Sequence, residues 1–136
     1  MMVPLNVKCR YCKKELMDKE NKIDDWPGIK LIIEMDDRKG YIWLSCLYGS
    51  YNIKTEIEIP EEKIARFFCP YCNKELISNT KCEQCGAPMV SLELTMGGEV
   101  EFCSRKGCKN HFLEFKTIEE TMKFYDAYSP YFKPAP

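Results

Sequence analysis

The octapeptide CRYCKKEL, residues 9–16, returns as CPYCNKEL at residues 69–76, and the reading of this pair decides the fold. Both copies place a tyrosine between two cysteines, Lys-Glu after them, and a closing leucine, Leu16 or Leu76. Two thiolates separated by two residues point at one ion, because the intervening turn aims its amide N–H groups at the sulfurs. A shared local sequence predicts a shared local structure, here two hairpin-like knuckles. Facing each other across one ion, they make Cys9, Cys12, Cys69 and Cys72 the preferred first site.

Two more pairs follow: Cys82/Cys85 in CEQC and Cys103/Cys108 in CSRKGC. They supply a second shell of four soft ligands, which suits tetrahedral zinc, so two Zn2+ per chain are expected. A rival arrangement pairs Cys69, Cys72, Cys82 and Cys85 as a short double knuckle, leaving Cys9 and Cys12 to join Cys103 and Cys108. The ligand list is the same either way. Closed sites of this kind hold a fold together and leave no coordination position open for chemistry.

Disulfides are the first competitor for nine cysteines in 136 residues, but an odd count leaves one thiol over. MMVPLNVKC has no apolar run of secretory length before Cys9, and no long apolar segment follows, so a cytoplasmic chain with no membrane span is expected. In that compartment this spacing means metal more often than disulfide. CPYC also resembles a redox motif, but it does not open a helix after a buried strand, and three other pairs accompany it.

The segment between the two octapeptides alternates with the period of β-structure. In IKLIIEM, Ile29, Leu31, Ile33 and Met35 share one face. DDRKG reads as a turn, with Gly40 available for positive φ. YIWLSCLY puts Tyr41, Trp43 and Leu47 on one side and Ile42, Leu44 and Cys46 on the other; YNIKTEIEI turns Ile53, Thr55, Ile57 and Ile59 inward. This predicts a three-stranded antiparallel meander, too small for an independent core and stapled at its ends by the first metal site. Pro60 ends the last strand, and EEKIARFF is expected to hold one helical turn. Tyr41, Trp43, Tyr48 and Tyr51 read first as core fillers and covers, and second as a stacking or docking edge.

The second half resembles a known pattern. CEQCGAPMVSLELTMGGEVEFCSRKGC, residues 82–108, is similar to the four-cysteine zinc ribbon at the C-terminus of bacterial type I DNA topoisomerases. The matching residues are Cys82, Cys85, Gly86, Met89, Val90, Gly97, Gly98, Phe102, Cys103, Ser104 and Cys108. The resemblance implies a ribbon of strand, glycine turn and strand. In those relatives the ribbon binds single-stranded DNA, which would place Arg105, Lys106 and Lys109 near phosphates and Phe102, Phe112 and Phe115 in stacking positions. The connecting strands carry Glu93, Glu99 and Glu101, where a nucleic-acid groove takes basic residues.

Two side chains lie outside the ligand set. His111, three residues after Cys108, is close enough to replace a thiolate but reads as a neighbour of the site, and Cys46 reads as a small buried hydrophobe. TIEE makes a capping box of Thr117 and Glu120, so a helix should run from Ile118 to Tyr128, packing through Ile118, Met122 and Tyr125 with Thr121 and Phe124 alongside. PYFKPAP, residues 130–136, is an aromatic and proline-rich end.

The expected fold is therefore small, metal-stabilised and mainly β. It has a zinc-stapled meander domain over residues 1–76, a zinc ribbon over 77–116, and a helix and tail over 117–136. Net charge is −1, with a pI of 5.9. Each four-thiolate zinc centre adds a formal charge of about −2, which disfavours general nucleic-acid affinity. No Ser/His/Asp set or glycine-rich phosphate loop is present, and one histidine cannot build an open catalytic zinc site, so no catalytic or cofactor-binding residues are assigned. The leading expectation is a non-catalytic zinc protein that docks on another protein. A single-stranded DNA- or RNA-binding ribbon comes second, and a rubredoxin-like iron site third.

Overall fold

In the computed structural model, which describes residues 2–132, the first half forms β1 (Val3–Pro4), β2 (Val7–Lys8), β3 (Met17–Ile23), β4 (Trp26–Met35), β5 (Arg38–Leu44), β6 (Leu47–Tyr48) and β7 (Ile53–Thr55). The second half forms β8 (Arg66–Phe68), β9 (Ile77–Lys81), β10 (Pro88–Leu94), β11 (Glu99–Cys103), β12 (His111–Glu114), α1 (Ile118–Tyr128) and a short 3-10 turn, Ser129–Phe132. Every strand pairing among the described residues is antiparallel.

One sheet runs β3-β4-β5-β7, with β8 along the remaining edge of β4; the other runs β12-β11-β10-β2, with β9 beside β10. The meander is thus present as β4-β5-β7 and extended by two strands. Ile29, Leu31, Ile33 and Met35 are buried on one face, and the register sets Leu31 opposite Ile42 and Ile29 opposite Leu44. Thr55 and Ile53 face Ile42 and Leu44 in turn, so the alternating pattern became one apolar face. That face packs on Val90, Leu92, Leu94 and Val100 of the other sheet, with Phe67 edge-on to Phe102 at 5.3 Å between ring centroids.

Several expectations are corrected. β3, MDKENKI, carries too little apolar patterning to read as a strand; its pairing with β4 and the bond from the Trp43 Nε1–H to Asp18 Oδ2 at 2.8 Å hold it there. The turn after β4 falls at Asp36, whose φ is 54°, while Gly40 lies inside β5 opposite Ile33. A Cβ at Gly40 would come within 3.1 Å of Ile57 Cγ2, so close packing by the chain after β7 explains this glycine. The strand expected over 41–48 breaks at Ser45, whose hydroxyl donates to Asp24 Oδ2 at 2.7 Å, and β6 turns away to pair with β1. The strand expected to reach Ile59 ends at Thr55, where the Thr55 hydroxyl bonds the Ile57 backbone. EEKIARFF holds β8 instead of a helical turn, because Phe67 and Phe68 pair with Ile33 and Ile32.

The ribbon-like stretch folds as strand, glycine turn and strand, β10 to β11, with Gly97 and Gly98 at φ 107° and 91°. A Cβ on Gly98 would meet Phe115 Cδ1 at 2.5 Å, so both the backbone and the space require glycine here. The helix starts where Thr117 predicts: the Glu120 N–H donates to Thr117 Oγ1 at 3.1 Å. The return bond reaches one residue further out, from the Lys116 N–H to Glu120 Oε1 at 2.9 Å. The packing face differs from expectation. Ile118, Met122 and Tyr125 are 79%, 59% and 61% exposed; α1 docks instead through Phe124, expected only alongside them, and Tyr128, with Phe115 beside Phe124 at 5.1 Å. The ring contacts of Phe124 with Phe115 and Tyr128 set the helix's rotation.

The main core runs from Val3 and Leu5 through the meander to Leu92, Val100, Phe124 and Tyr128. It crosses the boundaries expected at residues 76/77 and 116/117. Residues 133–136, the end of the aromatic tail, lie outside the described residues.

Candidate metal centres

The two octapeptides fold alike. The Cys9 N–H donates to the Lys14 carbonyl at 3.0 Å and the Lys13 N–H to the Cys9 carbonyl at 3.0 Å; Cys69 with Lys74 and Asn73 with Cys69 repeat this at 3.0 and 2.9 Å. The tyrosine amides each donate to the first sulfur of their pair at 3.3 Å. Lys13 and Asn73 close these turns in the left-handed region, with φ of 65° and 63°. Gly86 does the same for Cys82, at φ 79°. The Cys103 knuckle is wider and turns through Gly107 at φ 89°.

Each octapeptide also joins the two sheets. The first enters from β2, in the ribbon sheet, and leaves into β3, in the meander sheet; the second enters from β8 and leaves into β9, in the opposite sense. Leu16 donates its N–H to Val7 at 3.0 Å and accepts from Lys30 at 2.8 Å; Leu76 donates to Phe67 at 2.8 Å and accepts from Ser91 at 3.0 Å. Across the centre, Lys74 Nζ lies over the Tyr11 ring at 5.0 Å and Lys14 Nζ over the Tyr71 ring at 5.3 Å. The repeat is therefore a pair of crossed staples, and it fastens two sheets rather than the two ends of one meander.

The structure brings Cys9, Cys12, Cys69 and Cys72 together, and separately Cys82, Cys85, Cys103 and Cys108. The rival pairing does not form. A tetrahedral ion with metal–sulfur bonds of about 2.3 Å separates its sulfurs by about 3.8 Å. The Sγ–Sγ distances are 3.7 Å for Cys9–Cys72, Cys12–Cys69 and Cys82–Cys108, and 3.4 Å for Cys85–Cys103. Both tetrads fit such an ion, and the thiols are free of disulfides.

Without a metal, burial pushes the Cys69 thiol up to about 12 and raises Cys9 and Cys103 as well. A cation inside each tetrad offsets that cost. Burial acts on Cys82 too, but the Asn110 side-chain amide at 3.3 Å and the Cys85 and Gln84 amides outweigh it and lower the thiol to about 6. Asn110 is a site residue that the sequence did not single out; no spacing rule marks a side-chain donor to a thiolate.

The sign of its effect follows. Protons and metal compete for the same sulfurs, so losing a donor to the thiolate raises the thiol's pKa and lets protons win at higher pH. Asn110→Ala is expected to raise the Cys82 thiol from its lowered value and to move acid release of the second metal to higher pH, leaving the first unchanged. A colorimetric metal indicator followed through an acid titration checks this.

Compared with known proteins, the chain matches no family model, no curated protein and no solved structure.

The other singled-out residues have definite places. His111 stacks between Tyr48 and Tyr51, at 4.3 and 4.8 Å between ring centroids, and its Nε2 lies 3.2 Å from the Tyr51 hydroxyl. Burial lowers its pKa. Half of the aromatic edge thus encloses a histidine. Cys46 is buried in the main core, at the apolar end of an open pocket of about 450 Å³ whose other lining includes Asn52, Glu61, Arg105 and Lys106, and desolvation raises its thiol. Phe102 packs on Phe67 and Phe115 on Phe124, while Phe112 packs against the second centre. Arg105 donates through Nη1 to the Glu62 carbonyl at 2.9 Å, and Lys106 pairs with Glu61 at 3.7 Å. Lys109 lies over the Tyr51 ring at 5.4 Å. Among the described residues, no helix is long and apolar enough to cross a membrane.

Proposed function

We propose that this chain is a non-catalytic zinc protein, with one structural Zn2+ in each cysteine tetrad, that serves as a docking module for another protein. The observation that carries this reading is the closure of both tetrads. Four sulfurs at tetrahedral spacing satisfy a zinc ion completely and leave no position for a substrate or an activated water. The docking part is supported by α1, whose Ile118 and Met122 lie on the solvent side while Phe124 and Tyr128 anchor it to the body. Exposed aliphatic side chains one helical turn apart suit recognition by an apolar groove.

Metal analysis with a visible spectrum tests the first half. Two zinc ions per chain in a colourless protein are expected, whereas a red protein with visible absorption would replace this reading with an iron electron-transfer site. For the second half, a protein recovered in stoichiometric amount with the wild type should be lost from an Ile118→Lys/Met122→Lys variant that retains its fold and both metals. If the double variant keeps every partner, the helix face is not the docking surface.

A second reading, single-stranded nucleic acid, draws on the exposed Tyr11 and Tyr71 over the first centre. Arg10, Lys14 and Lys74 lie over these two rings. Filter binding to single-stranded DNA and RNA at low and moderate salt separates the two, and absence of salt-dependent retention ends the second.

A further inference from the structure

The ribbon sheet carries a face of oxygen donors that neither thiolate centre uses. Glu99 and Glu101 alternate along β11, so they share a face. The register sets Ser91 of β10 opposite Glu101, and Glu114 of β12 opposite Glu99. One carboxylate oxygen from each of Glu99, Glu101 and Glu114 lies within 4.8 Å of the others. Three like charges this close repel one another: burial, with Glu99 and Glu114, pushes the Glu101 carboxyl up, although the Ser78 side chain and the charge of Arg10 act the other way.

Acidic side chains crowd together on many protein surfaces without a ligand. Two buried oxygens set this cluster apart. Glu101 is 2% exposed and Ser91 1%, yet Glu101 Oε1 and Ser91 Oγ have no hydrogen-bond partner among the described residues. Buried polar atoms are nearly always partnered, because leaving one unsatisfied costs its full desolvation. Here two such atoms belong to directly opposed residues on one face, Ser91 being outside the acidic trio. A single cation would partner both and offset most of the carboxylates' charge.

We propose that Glu99, Glu101, Glu114 and Ser91 form a binding site for a hard divalent cation of calcium size, distinct from the two thiolate centres. The donor set is all oxygen, which suits calcium or magnesium and not the soft ions that thiolates select. Donor number favours calcium: magnesium is held by one or two carboxylates and keeps several waters, whereas calcium takes about six to eight oxygens. Three glutamates able to bind through both oxygens, with the serine hydroxyl, supply a coordination number in the calcium range. The site spans three adjacent strands, so a bound ion would cross-link the ribbon sheet beside Cys103.

The test is isothermal titration calorimetry of the full chain, its tetrads first filled with stoichiometric zinc, against calcium chloride and separately against magnesium chloride. One Ca2+ per chain is expected, saturating below about 1 mM, with Mg2+ binding at least about tenfold more weakly. Glu101→Gln alters a buried position and is read only alongside Glu114→Gln, whose side chain is exposed and whose loss leaves packing intact. Glu114→Gln should weaken calcium at least about tenfold, with an unchanged circular dichroism spectrum and zinc content. No calcium heat up to millimolar concentration, tighter magnesium than calcium, or calcium binding unchanged in Glu114→Gln would each overturn the proposal.

Discussion

Serine in place of Cys9 or Cys69 is expected to abolish cooperative folding of the whole chain, not of one half. Both sulfurs are fully buried and belong to the main core, and their knuckles are the two places where the chain crosses between sheets. A structural zinc site contributes about 10–16 kcal/mol in small domains, and a whole domain is stable by only about 5–15 kcal/mol. Losing an ion held at the crossing would therefore remove stabilisation as large as the net stability of the whole domain. The second centre differs. Cys82, Ala87, Met89 and Cys103 form a separate small cluster at the ribbon's tip, and Cys108 is only half-buried. Cys108→Ser should loosen that tip and leave the meander's transition in place. Urea unfolding, followed by far-ultraviolet circular dichroism on zinc-loaded variants, distinguishes the two. Equal losses from Cys9→Ser and Cys108→Ser would refute the crossed-staple reading.

Leu16→Ala and Leu76→Ala are each expected to cost about 3–4 kcal/mol. Both leucines are fully buried, and each closes its octapeptide while its backbone bridges a strand of one sheet to a strand of the other. Truncation leaves a cavity where neither sheet can move in without pulling its knuckle out of shape, so relaxation is limited and the cost sits above that of an ordinary core leucine near an edge. The comparable effect of the two substitutions is the informative part, because the octapeptides occupy equivalent places. Ile118→Ala, on the exposed side of α1, should stay within about 0.5 kcal/mol of wild type. Urea midpoints at unchanged slope measure all three. A Leu76→Ala midpoint near that of wild type would show that the second knuckle does not support the core.

Much of the site was legible before any coordinates. The knuckles are local: Cys-x-x-Cys fixes the turn, the turn fixes the amides, and the copied octapeptide favours, without settling, which pair faces which. The meander's inward residues were equally readable, since Ile29, Leu31 and Ile33 alternate without interruption. What escaped depends on contacts between distant segments. β3 is polar and becomes a strand because β4 offers an edge; Gly40 looks like a turn residue but is small because the chain after β7 passes over it. The face of α1 was misjudged because two apolar stripes competed, Ile118, Met122 and Tyr125 against Phe124 and Tyr128, and only the surface beneath the helix could choose between them. Asn110, Ser91 and Glu114 carry no spacing signal at all. Their roles arise from register across β10, β11 and β12.

The sequence by itself determined that eight cysteines form knuckles able to hold metal, that the chain is mainly β, and that a capped helix begins at Thr117. Each of these rests on interactions between residues a few positions apart. Only the tertiary structure decided which knuckles share a centre, that the copied pair crosses between two sheets, and that three glutamates and a serine meet on one face. Those outcomes depend on which strand edges pair. Pairing in turn is set by how the whole set of apolar faces closes on one core, and that is a property of the assembled chain.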